Sequence, residues 1–391
     1  MLTIGTETAF EVLARARAME AQGKKIIHLQ IGEPDFDTPK NIREAGKLAI
    51  DKGFTHYGPS AGLPQTRTAV AEYLTKTRGV KFERDEIIIM PGGKPVMFFT
   101  ILALVNPGDE VIYPNPGFPI YESMIKFVGG KPVPLPIREE NDFNFDPQEL
   151  EKLITPKTKL FIINSPANPT GGFLEKEDLA KIVQIMARHP DVAILSDEIY
   201  SRILYGDAVH HSITEFPGMK ERTIILDGFS KTYAMTGWRL GYAAAPKELI
   251  LKLATLATNC HSCTASFSQI AAIEALQGPQ ESVDQMVAEF KRRRDVIVEG
   301  LNSLPGVSCH TPKAAFYVFP NVKKLGRSSK EIADFLLLEA GVACLAGTSF
   351  GSLGEGYLRF SYANSVENIR AGIQKMAEAL PRLAQRTPAA R

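Results

Sequence analysis

Lys231 stands four residues beyond the apolar run Thr223-Ile-Ile-Leu-Asp227 and eight residues ahead of Arg239, in a segment loosened by Gly228. A lone lysine is usually a solvated surface cation. On a loop flanked by apolar and aromatic residues it gives up its proton more readily, and the free amine can then attack a carbonyl to form an imine. That reading depends on what stands at the ends of the other apolar runs.

Four of those ends carry chemical character. Residues 87–90 lead into Pro91-Gly92-Gly93-Lys94-Pro95 and an apolar helix, where free backbone N–H groups favour a phosphate. It is not a nucleoside triphosphate loop, because Pro95 follows Gly-Lys in place of Ser or Thr. Nor does any Gly-x-Gly-x-x-Gly follow a strand, which counts against a nicotinamide-dependent dehydrogenase. Tyr113-Pro-Asn-Pro-Gly-Phe118-Pro-Ile-Tyr121 is a proline-stiffened loop in which Phe118 either offers a flat face to a ring or packs in the core. Asn164-Ser-Pro-Ala-Asn168-Pro-Thr-Gly171 sets an amide on a tight turn. Leu195-Ser-Asp197-Glu-Ile-Tyr200 ends a buried run in a carboxylate, which needs a cationic partner. A protonated pyridine nitrogen is such a partner, and the pairing keeps the ring an electron sink.

The elements that must position these residues are legible in the pattern. Seven strand-like runs, 87–90, 110–113, 132–136, 159–164, 192–196, 223–227 and 239–244, are mostly separated by helical or long connections. That spacing predicts a mainly parallel sheet covered on both faces, with ligands at the carboxyl ends of its strands. Residues 6–22 predict a helix stopped by Gly23, residues 25–31 a short strand, 64–77 a helix and 246–300 further helices. Within the last, Phe290-Lys-Arg-Arg-Arg-Asp295 reads as a solvated charged face. Strands at 315–319, 341–345 and 357–361 suggest a smaller α/β lobe, and residues 385–391 look frayed.

At 391 residues the chain exceeds one ordinary core, so two domains are expected: 46–290 as the large one, with 1–45 and 291–391 forming the small one. A net charge of +1 gives no case for nucleic acid or an anionic membrane. No leader pattern and no membrane span are evident, so a soluble cytoplasmic protein is expected. Four cysteines are too few for a disulfide framework. Cys260-His-Ser-Cys263 lacks the second ligand pair of a zinc site and reads as small polar residues lining a loop, so no metal is expected.

Together these residues resemble the fold type I, class I family of aminotransferases that depend on pyridoxal 5'-phosphate (PLP), over nearly the whole chain. The resemblance is carried by Gly32-Glu-Pro-Asp-Phe36, Tyr57, Gly92-Gly93-Lys94, Phe118, Asn168-Pro-Thr-Gly171, Asp197-Glu-Ile-Tyr200, Ser230-Lys231 through Arg239, and Tyr357-Leu-Arg359-Phe-Ser-Tyr362. It implies that Lys231 holds PLP as an imine and later moves the proton at the substrate Cα. Asp197 would pair with the ring nitrogen, Asn168 and Tyr200 would bond its phenolic oxygen, and Phe118 would stack on it. Gly92, Gly93, Lys94 and Arg239 would hold the phosphate, helped by Tyr57 from a neighbouring subunit, which implies a homodimer with shared sites. Arg359 would clamp the substrate carboxylate in a bidentate geometry lysine cannot reproduce, with the Gly32 backbone alongside. Gly228 departs from the pattern, since many relatives carry a phosphate-binding Ser or Thr there; Ser230 would partly replace it.

The substrate is read from Lys94, which in the aspartate aminotransferases this chain looks most like contacts the distal carboxylate. That implies aspartate as donor and 2-oxoglutarate as acceptor. Phe10, Phe36, Phe118 and His261 could equally shape a pocket for aromatic or neutral amino acids. A PLP-dependent C–S lyase would share every cofactor residue named.

Overall fold

The computed structural model describes residues 7–385, so residue 6 of the expected first helix and all but the first residue of the expected frayed tail lie outside it. The first strand, β1 (Ile27–His28), belongs to a peripheral pair. The next seven, β2 (Ile87–Met90), β3 (Glu110–Asn115), β4 (Lys131–Pro136), β5 (Thr158–Asn164), β6 (Ala193–Asp197), β7 (Thr223–Gly228) and β8 (Gly241–Ala244), form one sheet in the order β2-β8-β7-β6-β5-β3-β4. All seven expected runs are strands of it. Six point the same way, and only β8, between β2 and β7, runs against them.

Alternation inside each strand explains why the sheet is covered twice. Ile88, Met90, Leu160, Ile162, Ile224 and Leu226 point to one face, where helices Gly93–Leu104, Ile120–Phe127 and Lys247–His261 bury them. Their neighbours Ile87, Ile89 and Ile225 meet helices Pro64–Arg78 and Ser266–Gln277 on the other face. Phe161, Ile163 and Ile194 meet Pro147–Leu153 and Lys176–Met186 there. Each such side chain contributes about 1.5–3 kcal/mol by burial, so both faces are bound tightly.

Beyond the sheet, β9 (Tyr317–Val318), β10 (Val342–Ala343), β11 (Leu345–Ala346) and β12 (Leu358–Ser361) complete the strands. The last pairs antiparallel with β11 and β9, while β1 pairs parallel with β10. Three expectations are corrected here. The strand expected at 25–31 is only two residues long, because the carbonyls after it are taken by side chains: Gln30 O by Arg359 and Gly32 O by Lys231. The charged stretch after Phe290 is not all solvated, since Arg293 is 6% exposed and pairs with Asp35 at 2.6 Å and Glu289 at 2.9 Å. Cys260 and His261 form the last turn of helix Lys247–His261, not a loop. Among the described residues no helix is long and apolar enough to cross a membrane.

A buried ion cluster ties the ends of β6 and β7 together. Arg78, at the end of its helix, donates Nε to Glu198 at 2.7 Å and Nη2 to Asp227 at 3.0 Å. Burial pushes the Glu198 carboxyl up, but the Arg78 guanidinium, with His210 and Ser212, holds it down to about 2. Arg78→Met is therefore expected to lose about 3–5 kcal/mol of stability, because it strands two buried carboxylates. Thermal unfolding measures it, and an unchanged Tm would show the cluster to be unimportant for stability.

Candidate active site

A cavity of about 490 Å³ opens where β5, β6 and β7 end, within the usual range of a small-molecule site. Its floor is set by the sheet register, which places Asn164 of β5 beside Asp197 of β6, one residue beyond Ser196 and level with Leu226 of β7. Lys231 enters from the loop after β7 and is partly buried; its Nζ donates to Gly32 O at 2.7 Å. Burial lowers the Lys231 pKa to about 8 from the ordinary 10.5, against the raising effect of Glu33 and Glu7.

Asp197 is 7% exposed and accepts hydrogen bonds from Tyr121 Oη at 2.5 Å and the backbone N–H of Ile199 at 3.3 Å, both neutral donors. Burial raises its pKa to about 6 despite them. A desolvated carboxylate with only neutral donors suits a cationic ligand group. On the opposite wall Arg359, 4% exposed, donates Nη1 to Asn168 Oδ1 at 3.1 Å and Nη2 to Gln30 O. Its guanidinium lies over the rings of Tyr317 and Phe350, at 4.6 and 4.8 Å from their centroids. The buried Arg359 Nε has no partner, which suits an anionic ligand.

The loop expected to cradle a phosphate is built from close backbone. Gly92 has φ 103, and a Cβ there would lie 2.5 Å from Arg239 Nη2, so only glycine allows this loop. Gly93 begins helix Gly93–Leu104, whose first N–H groups are open to a ligand. Arg239 itself has φ 52, after a turn over Thr236–Trp238, so the strand expected from 239 begins at Gly241. Gly228 pairs with Gly241, and a Cβ on it would meet the Gly241 Cα at 2.8 Å. That close approach is the physical reason a side chain is absent there.

Gly32, Gly93, Lys94, Phe118, Asn168, Asp197, Tyr200, Ser230, Lys231, Arg239 and Arg359 all line or border this one cavity, with Gly92 directly behind Arg239. Tyr57 is not brought to it; it is 92% exposed on the outside of the chain. Of the four candidate pocket residues, Phe10 and Phe118 line the cavity. Phe36 instead packs against Phe290 and Arg293, and His261 stacks on Phe99, so neither shapes the pocket. Sequence reading missed four participants. Tyr121 holds Asp197; Tyr317 bonds Tyr200 at 2.7 Å and leaves no room for a side chain at Gly32; Phe350 covers Arg359; Glu7 pairs with Lys94. Only Tyr121 carried a signal, three residues after Phe118 at the start of a helix.

A strand-end lysine, a buried carboxylate and a glycine-arginine cradle on a parallel sheet define a PLP-dependent transferase of fold type I. The chain belongs to the aminotransferase class I and II family, which matches residues 24–376. It is 43% identical over 360 residues to an aspartate aminotransferase of Pyrococcus abyssi, covering 91% of this chain and 92% of that one. It is 42% identical to aromatic-amino-acid aminotransferase 2 of Thermococcus litoralis, covering 92% and 93%. Among solved structures, Thermus thermophilus aspartate aminotransferase with maleate superposes with a TM-score of 0.92 at 37% identity, covering 96% of this chain and 97% of that one.

Proposed function

We propose that the protein passes the amino group of L-aspartate to 2-oxoglutarate in two half-reactions at this cavity. The observation that carries the reading is that Lys94 and Arg359 line the same cavity, one cation for each carboxylate of a dicarboxylic substrate. The Pyrococcus relative's name and the maleate in the Thermus structure support it. When bound, PLP supplies the aldehyde that takes up the amino group and a ring that draws electrons from Cα.

The chain's own residues do the rest. Asp197 would pair with the ring nitrogen, Asn168 and Tyr200 would hold the phenolic oxygen, and Phe118 would cover a face. The Gly92, Gly93 and Lys94 backbone, Ser230 and Arg239 would hold the phosphate. Lys231 anchors the cofactor and moves the proton at the substrate Cα, a role its lowered pKa suits. Arg359 takes the α-carboxylate beside the Gly32 backbone, its unpartnered Nε supporting that role. A homodimer would bring Tyr57 to the second copy's phosphate, which its exposure supports. We read residues 46–290 as the large domain and 1–45 with 291–391 as the small one. A separate apolar cluster joining Leu29 to Ile297, Leu336 and Leu380 supports that division, although Tyr200 and Ile203 also enter it. The free cysteines suit a cytoplasmic setting.

The test is the absorbance spectrum of the PLP-loaded protein. Aspartate should convert the visible band and 2-oxoglutarate restore it; conversion by aromatic donors alone would discard the Lys94 role. The apolar walls made by Phe10, Met97 and Phe118, and the Thermococcus relative's name, favour aromatic donors as the second reading. Arg359→Lys is expected to lower kcat/KM for every amino acid by roughly 10²-fold, mostly through KM, because one ammonium cannot replace two parallel N–H donors. An unchanged KM would remove the clamp from Arg359.

A further inference from the structure

Lys94 is already engaged. Glu7, immediately before helix Thr8–Glu20, lines the cavity and forms an ion pair with the Lys94 ammonium. The side chain of Glu7 is 18% exposed and that of Lys94 49%, so the pair sits at the mouth, its carboxylate largely covered and its ammonium half open to solvent. The ammonium also lies 5.8 Å from the Phe10 ring centroid and 5.9 Å from that of Phe118. The other two cavity carboxylates are occupied elsewhere, Glu33 by Thr236 and Asp197 by Tyr121. Burial lowers the pKa of both Lys231 and Arg359, and the Glu7 charge opposes that at both, which puts its carboxylate within electrostatic reach of the two.

With an uncharged donor, such as an aromatic amino acid, and 2-oxoglutarate as acceptor, one pocket must take an apolar side chain in one half-reaction and a distal carboxylate in the other. An apolar side chain laid against an unpaired ammonium would desolvate it at a cost. A distal carboxylate arriving while Glu7 is still paired would put two anions on one cation. We propose that Glu7 is a specificity-determining residue: paired with Lys94 it neutralises the pocket for uncharged amino acids, and displaced it cedes the ammonium to a dicarboxylate. This rests on Lys94 being the contact for the distal carboxylate.

The test uses the PLP-loaded protein and Glu7→Gln, which keeps shape and removes charge. Maleate affinity is measured by calorimetry, and kcat/KM with L-aspartate and with L-phenylalanine, each with 2-oxoglutarate. Maleate should bind roughly three- to fivefold tighter, the scale of a partly exposed ion pair no longer competing. kcat/KM for phenylalanine should fall by about as much, so the aspartate-to-phenylalanine ratio rises about tenfold. In a Lys94→Met background, Glu7→Gln should leave maleate affinity unmoved. An unmoved maleate affinity in the Lys94 protein, or a ratio shifted toward phenylalanine, overturns the proposal. Parent protein that transaminates neither donor would instead sink the proposed function, so the two failures are distinct.

Discussion

Lys231→Ala is expected to lose transamination by at least about 10⁴-fold, because it removes both the covalent anchor and the base at the substrate Cα. Among the described residues no other amine is placed to substitute: Lys94, the other lysine lining the cavity, is held by Glu7 at the mouth, and the neighbouring hydroxyls of Tyr200 and Tyr317 are bonded to each other. PLP should still bind, since Asp197, Asn168 and Arg239 are untouched. Single-turnover assays and the visible spectrum measure both, and turnover within tenfold of the parent would sink the mechanism. The lowered pKa adds a pH signature. Below about 8 the amine carries a proton and cannot attack, so PLP uptake by protein stripped of it should slow on acidification and level off above about 8. A break near the ordinary lysine value of 10.5 would mean that Lys231 is wet and not desolvated.

Asp197→Asn should lower kcat by about 10²–10³-fold while KM changes little, since the partner proposed for the carboxylate is the cofactor ring and not the substrate. The amide keeps the shape and the Tyr121 hydrogen bond but cannot hold a protonated ring nitrogen. Stability should move the other way. A carboxyl whose folded pKa is raised, here to about 6 from 3.8, contributes stability fully below 3.8 and loses it as the pH climbs through about 6. At neutral pH the PLP-free parent therefore carries a desolvated charge that the variant lacks. The PLP-free variant should unfold at a higher temperature than the PLP-free parent. Equal kcat would remove Asp197 from the chemistry; a lower melting point would mean that its burial is not the dominant cost.

Every strand of the central sheet was legible; all but the edge strand β4, where Lys131 and Pro134 are exposed, are largely buried on both faces and so read as mainly apolar runs. Strand-end chemistry followed from that, since a parallel sheet gathers its carboxyl ends on one side. Asp197, Asn168 and Lys231 needed no coordinates to be placed together. What the sequence left open lies in contacts between distant segments. Lys231 meets Gly32 across 199 residues, and Arg359 meets Gln30 across 329. Periodicity reports which face of an element is buried, not which element covers it. Hence Phe36 and His261 pack elsewhere, Arg293 is buried by Asp35 and Glu289, and Glu7 reaches Lys94. The catalytic residue types were thus determined locally, by the chain around them. The pocket that chooses a substrate was decided by tertiary packing, because its walls come from elements that share no sequence neighbourhood.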